Sequence, residues 1–213
     1  IDFGQNLVGW VEFKVKGKAG DLVLLRHGEV LDKEGNFYNA NLRSARQKVE
    51  YTLKGGEEES YSPHFTFFGF RYVFIEKFPG EPALEQFTAR VICTDMERIG
   101  HFTCSDPLVN QLYHNVIWGQ LGNFVDIPTD CPQRDERAGW TGDAQVFAAT
   151  AAKNMNVAKF FTKWLHDMTL SQREDGAVGV IVPRLHFLNT SSAWGDAATI
   201  CPWAMYEAYG DSR

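Results

Sequence analysis

Hydrophobic and polar residues alternate along the first half of the chain and recur at helical spacing along the second. Val11, Phe13 and Val15 alternate with Glu12, Lys14 and Lys16, the period-2 pattern of a half-buried strand. The same β-rich character runs through Asp21–Val30, Gln47–Leu53, Phe65–Phe78, Phe87–Cys93 and Ile99–Cys104. Polar or glycine-containing turns separate them, among them Asp32–Asn36 and Gly55-Gly56. Six or more antiparallel strands of this length predict a β-sandwich.

The period changes at Ser105. Ser105-Asp106-Pro107 offers capping side chains and a proline for a first helical turn. Leu108, Leu112 and Val116 follow at i+4 spacing. The alanine-rich run Thr141–Met155 predicts a second, closely packed helix capped by Thr141. Asn156 suits the cap of a third, whose apolar face is Val157, Phe160, Phe161, Trp164, Leu165 and Met168. Asp196–Tyr209 reads as a fourth, and Gly210 suits its left-handed C-terminal position. No strand-like run separates these helices, which argues against a parallel α/β sheet. The prediction is a multidomain chain, an antiparallel β-sandwich over residues 1–104 followed by an all-α domain over residues 105–213. The helical part reads as incomplete, so faces such as Phe160, Trp164 and Met168 are expected to be exposed and to drive self-association.

Composition narrows the class of partner. The 213 residues are 44% hydrophobic, enough for a substantial core. A net charge of −6 and a pI near 5.5 argue against nucleic-acid binding, which wants a basic face. No apolar run reaches the roughly 18 residues of a membrane helix. Cys93, Cys104, Cys131 and Cys201 form no CxxC pair, which argues against zinc and for free thiols, with a Cys93–Cys104 pairing left open for an exported protein. His27, His64, His101, His114, His166 and His186 show no ligand spacing, and no cofactor is expected. The first residue is Ile rather than Met, so the natural N-terminus is expected to be absent and the compartment stays open.

The densest chemistry lies in Asp130–Asp143, DCPQRDERAGWTGD. Four carboxylates (Asp130, Asp135, Glu136, Asp143), Arg134, Arg137 and Trp140 share one loop and the start of a helix. Carboxylates grip hydroxyls and move protons, and an indole packs on the apolar face of a sugar ring. Clustered carboxylates raise one another's pKa, which suits Glu136 to the role of a protonated acid. Asp130 and Asp143 suit hydroxyl binding, and Arg134 suits a hydroxyl or a carboxylate. Two plainer readings stand beside this one. The segment is a solvated, salt-bridged loop, or its acids hold Ca²⁺ or Mg²⁺, a reading the interleaved arginines weaken. Trp194 reads as a second aromatic wall or a packed indole, and Asp196 as a helix cap. The aromatic run Phe65–Phe78 is read as sheet core rather than as a sugar-binding strip.

The run PTDCPQRDERAGWTGDAQ, Pro128–Gln145, resembles the bacterial α-L-rhamnosidases of glycoside hydrolase family 78. So do FGQNLVGWVEF (Phe3–Phe13), LRHGEVLDKEGNFY (Leu25–Tyr38), NLRSARQ (Asn41–Gln47), YTLKGG (Tyr51–Gly56), FGFRYV (Phe68–Val73), QREDGAV (Gln172–Val178) and WGDAA (Trp194–Ala198). The resemblance implies a β-sandwich followed by the N-terminal part of an (α/α)₆ barrel, and inverting hydrolysis of terminal α-L-rhamnosides. It implies that Glu136 is the general acid and that Asp130, Arg134, Trp140, Asp143 and Trp194 line the rhamnose subsite. Ala138 departs from the larger apolar residue many relatives carry there. The family's general base is a Glu from later in the barrel, and a sugar-holding His also comes from there. Neither has a counterpart here. The expectation is an internal fragment that carries the acid half of the site, takes rhamnose-containing carbohydrate as its partner, and is inactive alone. The rival readings are a non-catalytic carbohydrate-binding protein, and a lyase or phosphorylase on a related helical barrel.

Overall fold

The computed structural model describes residues 1–185 and 189–212, so His186 lies outside the described residues. Two compact units emerge. One comprises Ile1–Ile92 with Pro132–Asp135, the other Cys93–Cys131 with Glu136–Arg213.

The first unit is built on a curled antiparallel sheet. Its strands are β1 (Asp2–Val15), β2 (Leu22–Gly28), β5 (Lys48–Thr52), β6 (Glu59–Tyr61), β7 (Phe68–Lys77) and β8 (Phe87–Val91). They run in the order β5-β2-β7-β1-β6, with β8 also paired to β1. A small hairpin, β3 (Val30–Leu31) and β4 (Phe37–Tyr38), flanks the Asp32–Asn36 turn, where the Asp32 carboxylate accepts from the Glu34 and Asn36 amides. The long β1 curls the sheet by changing partners. Leu7–Gly9 pair with Phe70–Phe68, Gly9–Phe13 with Val91–Phe87, and Phe13–Val15 with Tyr61–Glu59. Val11, Phe13 and Val15 are buried, as their alternation predicts, and Val23, Leu25 and Phe70 join them in the core.

Two β readings need correction. Residues 99–104 form no strand; the Ile99 and Gly100 amides instead donate to Asn154 O. The aromatic run divides: Phe68, Phe70 and Val73 are core, whereas Phe65 and Phe74 are exposed. Composition alone does not separate the two faces of that strand.

The second unit holds α1 (Pro107–Asn123), a short hairpin of β9 (Phe124–Val125) and β10 (Ile127–Pro128), α2 (Thr141–Asn154), α3 (Ala158–Ser171), α4 (Ser192–Gly195) and α5 (Ala197–Tyr209). Asp106 caps α1 by accepting from Leu108 N at 2.8 Å, and Gly210 ends α5 at φ 67°. Helix α2 packs on α5, with Ala144, Ala148 and Ala151 of α2 and Ala197, Cys201 and Ala204 of α5 all buried in the same core. Small side chains let helix backbones approach closely. None of the described helices is long and apolar enough to cross a membrane.

Three expectations for the helices change. Phe160, Trp164 and Met168 are buried rather than exposed, because Phe124 stacks on Phe160 and the α3 face is covered within the unit. Leu108 and Leu112 are exposed, so their i+4 stripe marks a helix but not its buried face. Helix α1 turns Ile117 and Gln120 inward instead, and Gln120 is matched there by Asn154 Nδ2 donating to its Oε1 at 2.9 Å. Thr141 is the first helical residue rather than the cap, which is Trp140; the Thr141 hydroxyl donates to Val180 O at 3.2 Å.

Candidate functional site

The loop between β10 and α2 is closed at its neck by one residue pair. The Asp130 amide donates to Ala138 O and the Ala138 amide donates to Asp130 Oδ1, each at 3.2 Å. Asp130 is therefore structural at one carboxylate oxygen. The chain then pairs with a distant segment. Thr141 N donates to Val180 O at 2.9 Å, Val182 N to Gly139 O at 2.8 Å, and Trp140 bridges Ile181. A Cβ on Gly139 would lie 1.9 Å from Val182 O, so no other residue fits. Trp164 of α3 fixes the same carbonyl, its indole N–H donating to Val182 O at 3.0 Å.

A cavity of about 650 Å³ opens beside this loop in the second unit. Asp130, Asp143 and Trp194 line it, with Val116, Phe124 and Phe147 as an apolar wall. Asp143 stands exposed in the first turn of α2, where the helix dipole favours a negative charge. Trp194 reaches the cavity because Gly142 leaves room: a Cβ there would meet indole atoms at 2.6–2.8 Å. Gln145 of α2 holds the Trp194 segment, its side-chain amide donating to Ala193 O at 2.7 Å. Asp196 takes the N-cap position of α5 without a side-chain capping bond.

Glu136 is half-buried beside Asp130 and the buried thiol of Cys131. One oxygen of each carboxylate and the Cys131 sulfur lie within 4.8 Å of one another. Among the described residues these three form the one group with the spacing to share a cation. One thiol with two carboxylates matches neither the all-oxygen shell of Ca²⁺ or Mg²⁺ nor the sulfur and nitrogen sets of structural zinc. The four cysteines are free, and the Cys93–Cys104 pairing is not formed. Arg137, next to Glu136, holds φ at 30°, a conformation non-glycine residues adopt mainly where surrounding structure enforces it. Trp140 is half-buried, and its indole N–H donates to no acceptor among the described residues.

The middle of the loop, Pro132–Asp135, groups with the first unit, and Arg134 goes with it. Ser44 Oγ donates to Asp135 Oδ2 at 2.5 Å, and the Ser44 amide donates to the same oxygen at 3.3 Å. The Arg43 guanidinium stands 3.8 Å from Asp135 Oδ1. The Ser44 hydroxyl, its amide and Arg43 hold the Asp135 carboxyl below the usual range. Gln47 Nε2 donates to Gln133 O at 2.6 Å. Burial raises the Glu29 carboxyl, opposed by a hydrogen bond from Asn6 and by the Arg134 charge.

Asp130, Asp143 and Trp194 thus share a cavity, Glu136 stands beside Asp130, and Trp140 leads into α2. Arg134 belongs with the sheet unit. Sequence reasoning missed Arg43, Ser44, Gln47 and Glu29. The one available signal was the NLRSARQ run, which carries no recognisable chemistry until the fold sets it against a segment about 90 residues later.

Two family models divide the chain between them. One for the bacterial α-L-rhamnosidase concanavalin-like domain matches residues 1–93, and one for the bacterial α-L-rhamnosidase six-hairpin glycosidase domain matches residues 97–213. The chain is 51% identical to an α-L-rhamnosidase of Streptomyces avermitilis over its whole length, and 45% identical to one from an Alteromonas species. It spans 21% and 23% of the length of those relatives. Among solved structures it is similar to the Streptomyces avermitilis α-L-rhamnosidase complexed with L-rhamnose, with a TM-score of 0.94, covering 99% of this chain and 20% of that one. The α-L-rhamnosidase of Dictyoglumus thermophilum superposes with a TM-score of 0.94 at 42% identity, over 99% of this chain and 24% of that one.

Proposed function

The chain belongs to the bacterial α-L-rhamnosidase family, and from that premise we propose that it carries the acid half of an inverting site that releases terminal α-L-rhamnose. Glu136 is the general acid. It protonates the glycosidic oxygen as the bond from that oxygen to the anomeric carbon breaks. Water adds to the opposite face of the ring and gives up a proton to a base, so the products are rhamnose of inverted anomeric configuration and the free alcohol. Asp130, Asp143, Trp140 and Trp194 hold the sugar. The Asp143 and Trp194 side chains supply an acceptor and an apolar face in the cavity.

The observation that carries this reading is the placement of Glu136, half-buried with Asp130 oxygen and Cys131 sulfur within 4.8 Å. That sets a carboxyl beside Asp130, which lines the cavity. A base in an inverting enzyme stands roughly 6.5–9.5 Å from the acid. We assign that base to a carboxylate outside these 213 residues, since the relatives are about five times longer.

Glu136→Gln in the full-length protein tests the assignment. Hydrolysis of an aryl α-L-rhamnoside should fall by about 10²–10⁴-fold while L-rhamnose binding persists. Retained turnover would remove Glu136 from the acid role. The 213-residue chain alone should turn over the same substrate at a rate orders of magnitude below an intact glycosidase. An unsaturated product, or a requirement for phosphate, would instead mark a lyase or a phosphorylase.

A further inference from the structure

The Asn41–Gln47 segment of the sheet unit has no place in the reaction just described, yet it is built like a clamp. Two of its residues, Arg43 (φ 56°) and Gln47 (φ 46°), hold left-handed backbone conformations that are strained for non-glycine side chains. Both strained residues, and Ser44 beside Arg43, turn a polar group toward the same short segment. Ser44 and Arg43 engage the Asp135 carboxylate, and Gln47 engages the Gln133 carbonyl. Gln47 is itself anchored. It is buried, and its own carbonyl accepts from the His27 amide at 2.9 Å and faces the His27 ring nitrogen Nδ1 at 3.1 Å. A path of hydrogen bonds therefore runs from the buried His27 of β2 through Gln47 to Gln133.

Stability does not explain this arrangement. The Asp135 side chain is 34% exposed and the Arg43 side chain 51%. Exposed pairs of this kind contribute little to folding. Their effect is geometric. Asp135 is bonded through the backbone to Glu136, so fixing the Asp135 carboxylate limits where the next residue can place its own. A catalytic group misplaced by about 1 Å can cost on the order of 100-fold in rate.

Resting on the reading of Glu136 as the acid, we propose that Asp135, gripped by Ser44 and Arg43, and Gln133, gripped by Gln47, are positioning residues. They hold the loop so that Glu136 meets the glycosidic oxygen. Asp135 touches no substrate in this scheme. Its charge is spent on the sheet unit.

The test uses Asp135→Ala, Asp135→Asn, Ser44→Ala and the Ser44→Ala/Asp135→Ala double variant in the full-length protein. With an aryl α-L-rhamnoside, Asp135→Ala should lower kcat by about 10- to 100-fold with KM changed less than about threefold. Asp135→Asn keeps an oxygen for Ser44 and should recover part of the loss. The double variant should be no slower than Asp135→Ala, because both changes break one contact. Tm should fall by less than about 4 °C. Amide exchange gives a readout independent of activity. In Asp135→Ala the Asp130 and Ala138 amides, which close the loop, should exchange at least about tenfold faster than in the unsubstituted protein. Unchanged exchange at those amides overturns the clamp, as does a kcat within twofold of the parent in both Asp135→Ala and Ser44→Ala. If the unsubstituted protein fails to cleave the rhamnoside, the reading of Glu136 falls, and amide exchange still decides the clamp.

Discussion

Trp194 lies directly against Gly142, close enough that a Cβ on Gly142 would stand 2.6 Å from the indole nitrogen. The two residues are 52 positions apart, and the contact turns one wall of the cavity into an aromatic face. A methyl group at Gly142 forces the indole aside. The first turn of α2 would otherwise gain from alanine by roughly 1 kcal/mol of helix propensity. Gly142→Ala is therefore expected to weaken L-rhamnose binding by about tenfold or more without lowering the Tm. Calorimetric titration and thermal unfolding measure the two effects. Undiminished affinity would show that Trp194 is no part of the sugar site.

Trp164 connects the helical core to the site loop. It is fully buried, and its N–H donates to the Val182 carbonyl. Trp164→Phe keeps most of the apolar volume and removes the donor. The loss expected is about 1–3 kcal/mol, the penalty for a buried carbonyl left with one bond fewer. Urea unfolding of the chain measures it.

His27 predicts how stability varies with pH. Burial lowers its pKa from 6.5 to about 4, and its ring is stacked on Phe68 at 4.3 Å. The Nδ1 atom faces a carbonyl, which can only accept, so Nδ1 carries the proton of the neutral ring. Nε2 is buried with no partner among the described residues. Between pH 6.5 and 4 the unfolded chain binds a proton that the folded chain refuses. Stability from this group is complete above pH 6.5 and is lost as pH falls toward 4, by about 3 kcal/mol in all. Chemical unfolding across that range should show the loss. A His27→Gln variant should be less stable at pH 7 and flatter with pH. An equally steep profile in the variant would assign the dependence to other groups.

The cysteines should separate by reactivity. Cys201 is fully buried, and burial pushes its thiol up to about 12. Cys93 is exposed, although burial of its sulfur and the nearby Asp95 raise its thiol as well. At pH 8 iodoacetamide should label Cys93 first and Cys201 only after denaturant is added, since the thiolate is the reactive form. Peptide mapping by mass spectrometry reads the order. Early labelling of Cys201 would mean that the α2–α5 core opens readily.

Much of the candidate site was legible because its residues are close in sequence. Asp130, Glu136, Trp140 and Asp143 fall within fourteen positions, and the mixture of acids, arginine and indole marks them before any fold is known. The inward face of α1 was not legible. Leu108 and Leu112 carry the helical period, yet Ile117 and Gln120 are the residues that find cover. Periodicity reports that a helix has an apolar stripe, and only a packed neighbour decides which stripe is buried.

By itself the sequence determined the order of strands then helices, the caps at Asp106 and Gly210, and the chemical character of the Asp130–Asp143 loop. These depend on local patterns of polarity and on backbone preferences, which neighbouring residues settle among themselves. Tertiary structure alone decided that Ser44 and Gln47 would meet Asp135 and Gln133, that Trp194 would lie on Gly142, and that Phe160, Trp164 and Met168 would be covered. Each of those pairings joins residues far apart in the chain. Such contacts are set by how whole elements pack, and no local pattern encodes a partner's distance or direction.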